Sequence, residues 1–145
     1  MSETRSASRA RKRAPRSIIL YNVLVGLCAV AVLLQGLWAG LFLEHDGQRD
    51  QAAGWIDVHA RCGEIALALA VLATVVALAR LRARRDLLTG SIVLVVLLVV
   101  ESYVGGLIAN EGRDVLTALH VPLALGVMAL AVWLSLRAKP RALES

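Results

Sequence analysis

The chain has 145 residues, 58% of them hydrophobic and 19% charged, with a mean hydropathy of +0.68. Soluble domains carry about a quarter charged residues and under half apolar ones, so a secreted disulfide scaffold, a disordered chain and a soluble Rossmann-type enzyme are all excluded. The net charge of +5 is placed as a membrane topology signal and not as a nucleic-acid footprint.

Residues 1–17 are rich in Ser, Ala and Arg and are expected to form a disordered basic tail. From Ile18 to Leu43 no charged residue occurs. That run can cross a hydrocarbon core of about 30 Å, and it is too long for the roughly 7–15-residue apolar region of a cleaved signal peptide. Further spans are predicted at about 55–79, 87–109 and 114–136, with a short tail at 138–145. Runs this long without period-2 polarity do not fit a membrane barrel. The expected fold is therefore all-α: an integral membrane four-helix bundle over 18–137.

Thirteen of the sixteen basic residues fall in the N-terminal tail, the loop Arg80–Arg85 or the C-terminus; only Arg49, Arg61 and Arg113 fall elsewhere. Under the positive-inside rule this predicts a multi-pass plasma-membrane protein with both termini cytoplasmic. Trp38 and Trp55 then lie near the outer interface and Trp133 near the inner one. Anionic-lipid contact is a natural role for the tail.

One helical hairpin is used twice. Gln35 matches Glu101 at an offset of 66, as Gly40 matches Gly106 and Leu41 matches Leu107. After the distal loop the offset becomes 61, where His59 falls on His120 and Ala68-Leu69-Ala70-Val71 on Ala129-Leu130-Ala131-Val132. Two hairpins of equal orientation make a parallel repeat, which predicts both histidines at one depth facing a common centre.

Polar groups inside a bilayer are costly and usually functional. A histidine pair at matched depth suits axial ligation of a haem iron, with Gly63, Gly105 and Gly106 among the small residues opening room for it. A bare metal site would want four ligands, and Asp57, Glu64 and His45 share no obvious face with both histidines. Glu101 reads either as a carboxyl bonded to Gln35 across the bundle or as a group tuning a cofactor. Arg61 and Arg113 read as surface partners of Asp57, Glu111 or Asp114, or as contacts for haem propionates. Cys28 and Cys62 form no CxxC or CxxCH motif, and their different depths argue against a disulfide.

The stretches HARCGE, ESYVGGL and TALHVPLA resemble a four-helix half of the haem A synthase family, and also small four-helix bacterial membrane proteins with the same signatures. The resemblance covers about Leu34 to Leu136 and implies His59 and His120 as axial ligands. It has departures: one half only, Ile56 where the family has a catalytic Glu, Glu101 where a Gln is usual, and no cysteine in the loop EHDGQRDQAAGW.

The leading expectation is a protein binding haem b through His59 and His120 (the iron ligands) for electron transfer, with Glu101 and Gln35 tuning the site. It would work with a redox partner, and no nucleic acid is involved. The alternative is a cofactor-free membrane protein that assembles with a larger complex, its histidines bonded to neighbouring helices. A third is a haem-modifying enzyme formed as a homodimer.

Overall fold

A computed structural model of the chain describes residues 16–44 and 49–139. Helix α1 spans Arg16–Leu43, α2 Arg49–Arg80, α3 Arg85–Glu111 and α4 Thr117–Arg137, with one 3-10 turn, Asp114–Leu116, leading into α4; no strand occurs among the described residues. The basic tail up to residue 15, the C-terminal residues from 140 and His45 lie outside the described residues. All four helices are long and apolar enough to cross a membrane. The shortest candidate span, Asp114–Arg137, has 24 residues, about 36 Å at 1.5 Å per residue.

Two boundaries differ from the sequence expectation. Helix α2 begins at Arg49, six residues before Trp55. Its first turns contain no proline, so a polar helix runs on beyond the apolar span, where water or headgroups can solvate its exposed amides. Helix α3 stops where Gly112 takes a left-handed φ of 65° and its N–H bonds back to Leu107, the αL cap that favours glycine. The chain then re-enters helix through the 3-10 turn, so regular α-helix starts at Thr117 instead of Asp114.

The helices form a ring in chain order, α1 beside α2, α2 beside α3, α3 beside α4 and α4 beside α1, with α1/α3 and α2/α4 as diagonals. Neighbours run antiparallel: Cys28 of α1 meets Ala66 of α2, and Asn22 of α1 meets Ser135 of α4. Arg16, Lys139 and the Arg80–Arg85 connection therefore occupy one end, the proximal end. The two other connections occupy the distal end.

Buried positions explain the association. Helix α1 buries Tyr21, Val25, Cys28 and Val32; α3 buries Leu87, Ser91, Leu94 and Leu98. Helix α2 buries Ala66, Ala70, Ala73 and Ala77; α4 buries Val127, Ala131, Leu134 and Ala138. Steps of four and three residues alternate in every set, the seam pattern of a left-handed bundle. The α3 set is the α1 set displaced by 66 residues, and the α4 set is the α2 set displaced by 61. Outward faces stay apolar (Leu33 is 64% exposed and Leu125 67%), as lipid-facing helix surfaces are.

The four buried alanines of α2 let α1 approach closely. Cys28 Sγ donates to the Ala66 carbonyl at 3.4 Å, and Cys62 Sγ to the Ala31 carbonyl at 3.3 Å. Both thiols are free, each used once across the same helix pair at a different depth.

At the proximal end Ser91 Oγ donates to the Leu87 carbonyl at 2.7 Å and accepts from the wholly buried Tyr21 hydroxyl at 2.7 Å. The Arg84 guanidinium grips both oxygens of Asp86 at 3.1 and 3.0 Å and donates to the Arg137 carbonyl at 2.8 Å, tying the α2–α3 turn to the end of α4. Tyr21→Phe removes one hydrogen bond but leaves Ser91 its carbonyl partner. It should cost about 0.5–1 kcal/mol in detergent unfolding, without loss of helix content.

Candidate functional site

Extending the four buried stripes toward the distal end brings the polar residues to the interior. Gln35 stands three residues beyond Val32 on α1, and Glu101 three beyond Leu98 on α3. His59 precedes Ala66 by seven residues on α2, and His120 precedes Val127 by seven on α4. The spacing that buries alanine and leucine deeper in the bundle therefore turns all four polar side chains toward one layer.

Within that layer the two imidazoles face each other from diagonal helices, their ring centroids 6.4 Å apart and their planes tilted by 56°. Each meets a neighbouring helix at its Nδ1. His59 Nδ1–H donates to the Gln35 carbonyl at 3.2 Å, and His120 Nδ1 pairs with Glu101 Oε2. A carbonyl only accepts, so the His59 proton sits on Nδ1 and the Nε2 lone pair is left available. No hydrogen bond to either Nε2 occurs among the described residues.

Aromatic side chains close the distal side. Phe42 sets its ring edge-on to His59 at 5.6 Å, and Trp38 stacks on Trp55 at 5.9 Å and 11°. Five buried polar atoms have no hydrogen-bond partner among the described residues: Gln35 Oε1, Trp38 Nε1, both carboxyl oxygens of Glu101 and His120 Nδ1, although Glu101 Oε2 and His120 Nδ1 lie in contact with each other. Orphaned buried groups are expensive and call for an explanation such as a bound polar group or water.

The glycines serve the side chains beside them. A Cβ on Gly63 would come within 3.0 Å of Gln35 Nε2, and one on Gly105 within 3.4 Å of His120 Cε1. Each gives a site residue space to lie flat against the next helix. Gly106 has only an ordinary contact, with Asn110 at 3.9 Å from a built Cβ, and Gly36, Gly40 and Gly126 border open space.

The structure thus brings His59, His120, Glu101 and Gln35 together with Gly63 and Gly105, and leaves Gly106 and Arg61 aside. Arg61 lies on the α2 surface between Asp57 at 3.7 Å and Glu64 at 3.4 Å, all three side chains about two-thirds exposed. Arg113 pairs with Glu111 at 3.0 Å. Of the two readings of Glu101, the bond to Gln35 does not form among the described residues, because α1 and α3 are diagonal and Glu101 faces the adjacent α4. No group of three or more His, Cys, Asp or Glu side chains placed to hold a metal ion exists among the described residues.

Two partners escaped the sequence reading. Phe42 is seven residues beyond Gln35 on the α1 stripe, a signal that the heptad spacing carried. The Glu101–His120 pair had no such signal, since it depends on which helices are neighbours. Compared with protein-family models, curated proteins and solved structures, the chain matches none.

Proposed function

We propose that this is a multi-pass membrane protein with both termini cytoplasmic, which holds a b-type haem between His59 and His120 for one-electron transfer. The observation that carries the reading is the juxtaposition of two imidazoles from diagonal helices, one with a carbonyl and the other with a carboxyl against its Nδ1. Metal-ligating histidines characteristically give their second ring nitrogen to a carbonyl or carboxylate, which fixes the tautomer and the ring orientation. Here the Gln35 carbonyl does so for His59, and the Glu101 carboxyl lies in contact with His120 Nδ1, where it could play the same part. Two imidazoles bonded end-on to one metal at about 2 Å per bond have centroids roughly 6 Å apart, which suits the separation of 6.4 Å.

The two imidazoles are the donor type that a haem iron takes, and the unpartnered atoms of Gln35, Trp38 and Glu101 support a polar group in the same layer. When bound, a haem supplies reversible one-electron chemistry at its iron. The chain's part is to occupy both axial positions, to hold the rings and to keep bulk water out with Phe42, Trp38 and Trp55. Arg61 is a propionate contact in this reading; its exposed pairs with Asp57 and Glu64 contribute little and exchange readily.

The burial registers displaced by 66 and 61 residues support a duplicated hairpin, with α1–α2 and α3–α4 as parallel repeats. Each hairpin joins the polar residue of its first helix to the histidine of its second. The resemblance of HARCGE, ESYVGGL and TALHVPLA to half of a haem A synthase points the same way.

One observation favours a second reading, a cofactor-free partner in a larger assembly: each histidine sets its Nδ1 against a group of a neighbouring helix. Optical spectra of the detergent-purified protein, oxidised and then dithionite-reduced, decide between them. A sharp reduced α-band is the expected result. A protein that stays colourless after expression with added haem overturns the haem reading in favour of the assembly partner.

A further inference from the structure

The up-down-up-down ring gathers the N-termini of α1 and α3 and the C-termini of α2 and α4 at the proximal end. Arg16, Arg80, Arg82, Arg85, Arg137 and Lys139 are all exposed there, and none has an acidic partner among the described residues. Asp86 is the only described carboxylate at this end, and both of its oxygens are taken by Arg84. Arg84 is itself only partly exposed, and its remaining bond caps the Arg137 carbonyl, so it acts as a structural clamp.

The free cations differ from it. Arg82 spends only Nε, on the Leu78 carbonyl at 2.7 Å, leaving its terminal nitrogens outward. The Arg137 guanidinium lies over the Trp133 ring at 5.3 Å. An Arg–Trp pair at the end of an apolar helix is the anchor expected at headgroup depth. Exposed, unpaired guanidiniums match phosphate oxygens by geometry as well as charge.

We infer that this end of the bundle is a binding surface for anionic phospholipid headgroups, with Arg80, Arg82 and Arg85 of the α2–α3 turn supplying the phosphate contacts and Arg84 holding that turn in shape. The inference stands independently of the haem reading.

The test uses the full chain in a neutral detergent, with phosphatidylglycerol or phosphatidylcholine added and bound lipid counted by native mass spectrometry beside a melting curve. Phosphatidylglycerol should be retained about tenfold or more over phosphatidylcholine and should raise the melting temperature, both effects shrinking as salt is added. The triple variant R80Q/R82Q/R85Q should lose that preference while melting like the parent in phosphatidylcholine. A distal R61Q/R113Q variant should keep it, and R84Q should lower the melting temperature in both lipids. Equal retention of the two lipids, or a preference that survives in the triple variant, would overturn the inference. So would an equal stabilisation by inorganic phosphate alone, which would mark a soluble-anion site.

Discussion

His59→Ala and His120→Ala are each expected to abolish the reduced α-band, and Glu101→Gln to weaken haem retention by about 10–100-fold without abolishing it. The ordering follows from position. Each histidine would provide one of two axial bonds, so neither can substitute for the other across the bundle. Glu101 instead stands in contact with His120 Nδ1, where a Gln amide oxygen would accept more weakly than a carboxylate. Haem-binding titrations of the three variants, with circular dichroism to confirm equal helix content, read the series. His120→Ala carries a second effect, since it strips a buried carboxyl of its partner. That penalty of about 1–3 kcal/mol should appear in the unfolding curve whether or not haem is present. If Glu101→Gln binds as the parent does, the carboxyl is not what orients His120. If all three variants lose stability but the parent itself shows no band, the histidines are structural bonds between helices.

Four apolar spans, their near-final boundaries and the inward direction of His59 and His120 were readable from the sequence, because lipid forces apolar runs into helices and heptad spacing forces one face inward. Residue matches at offsets of 66 and 61 pointed to a repeat, and the buried stripes follow the same two offsets. What could not be read was lateral order. Gln35 and Glu101 share a depth, which made a bond between them a reasonable expectation. Depth says nothing about whether two helices are neighbours, and the ring order places α1 and α3 on a diagonal. Glu101 consequently turns to His120, while the Gln35 backbone, not its side chain, serves His59. The glycines misled for a related reason. Gly63 and Gly105 do provide space, but Gln35 and His120 fill it.

Ala70→Leu is expected to destabilise the bundle by about 2–3 kcal/mol, against almost nothing for Ala68→Leu. Ala70 is wholly buried on the α2 seam, between Ala66 and Ala73, whereas Ala68 is exposed on the lipid face. Both substitutions add the same apolar volume to the same helix, so their difference isolates packing from hydropathy. In a bilayer lipid is as apolar as leucine, and small residues gain their value by letting backbones come close. The α1–α2 seam depends on that closeness: its thiol-to-carbonyl contacts of 3.3 and 3.4 Å cannot survive an isobutyl wedge. The same wedge would part the Gln35 carbonyl from His59 Nδ1 further along the seam, freeing one of the two rings. Ala70→Leu should therefore also weaken haem retention although it lies three turns from the histidine, and Ala68→Leu should not. Unfolding in mixed detergent with both variants, each followed by helix signal and by the reduced α-band, gives the comparison. Equal stabilities would mean that α1 and α2 are held together by the bilayer and their loop, not by the alanine seam.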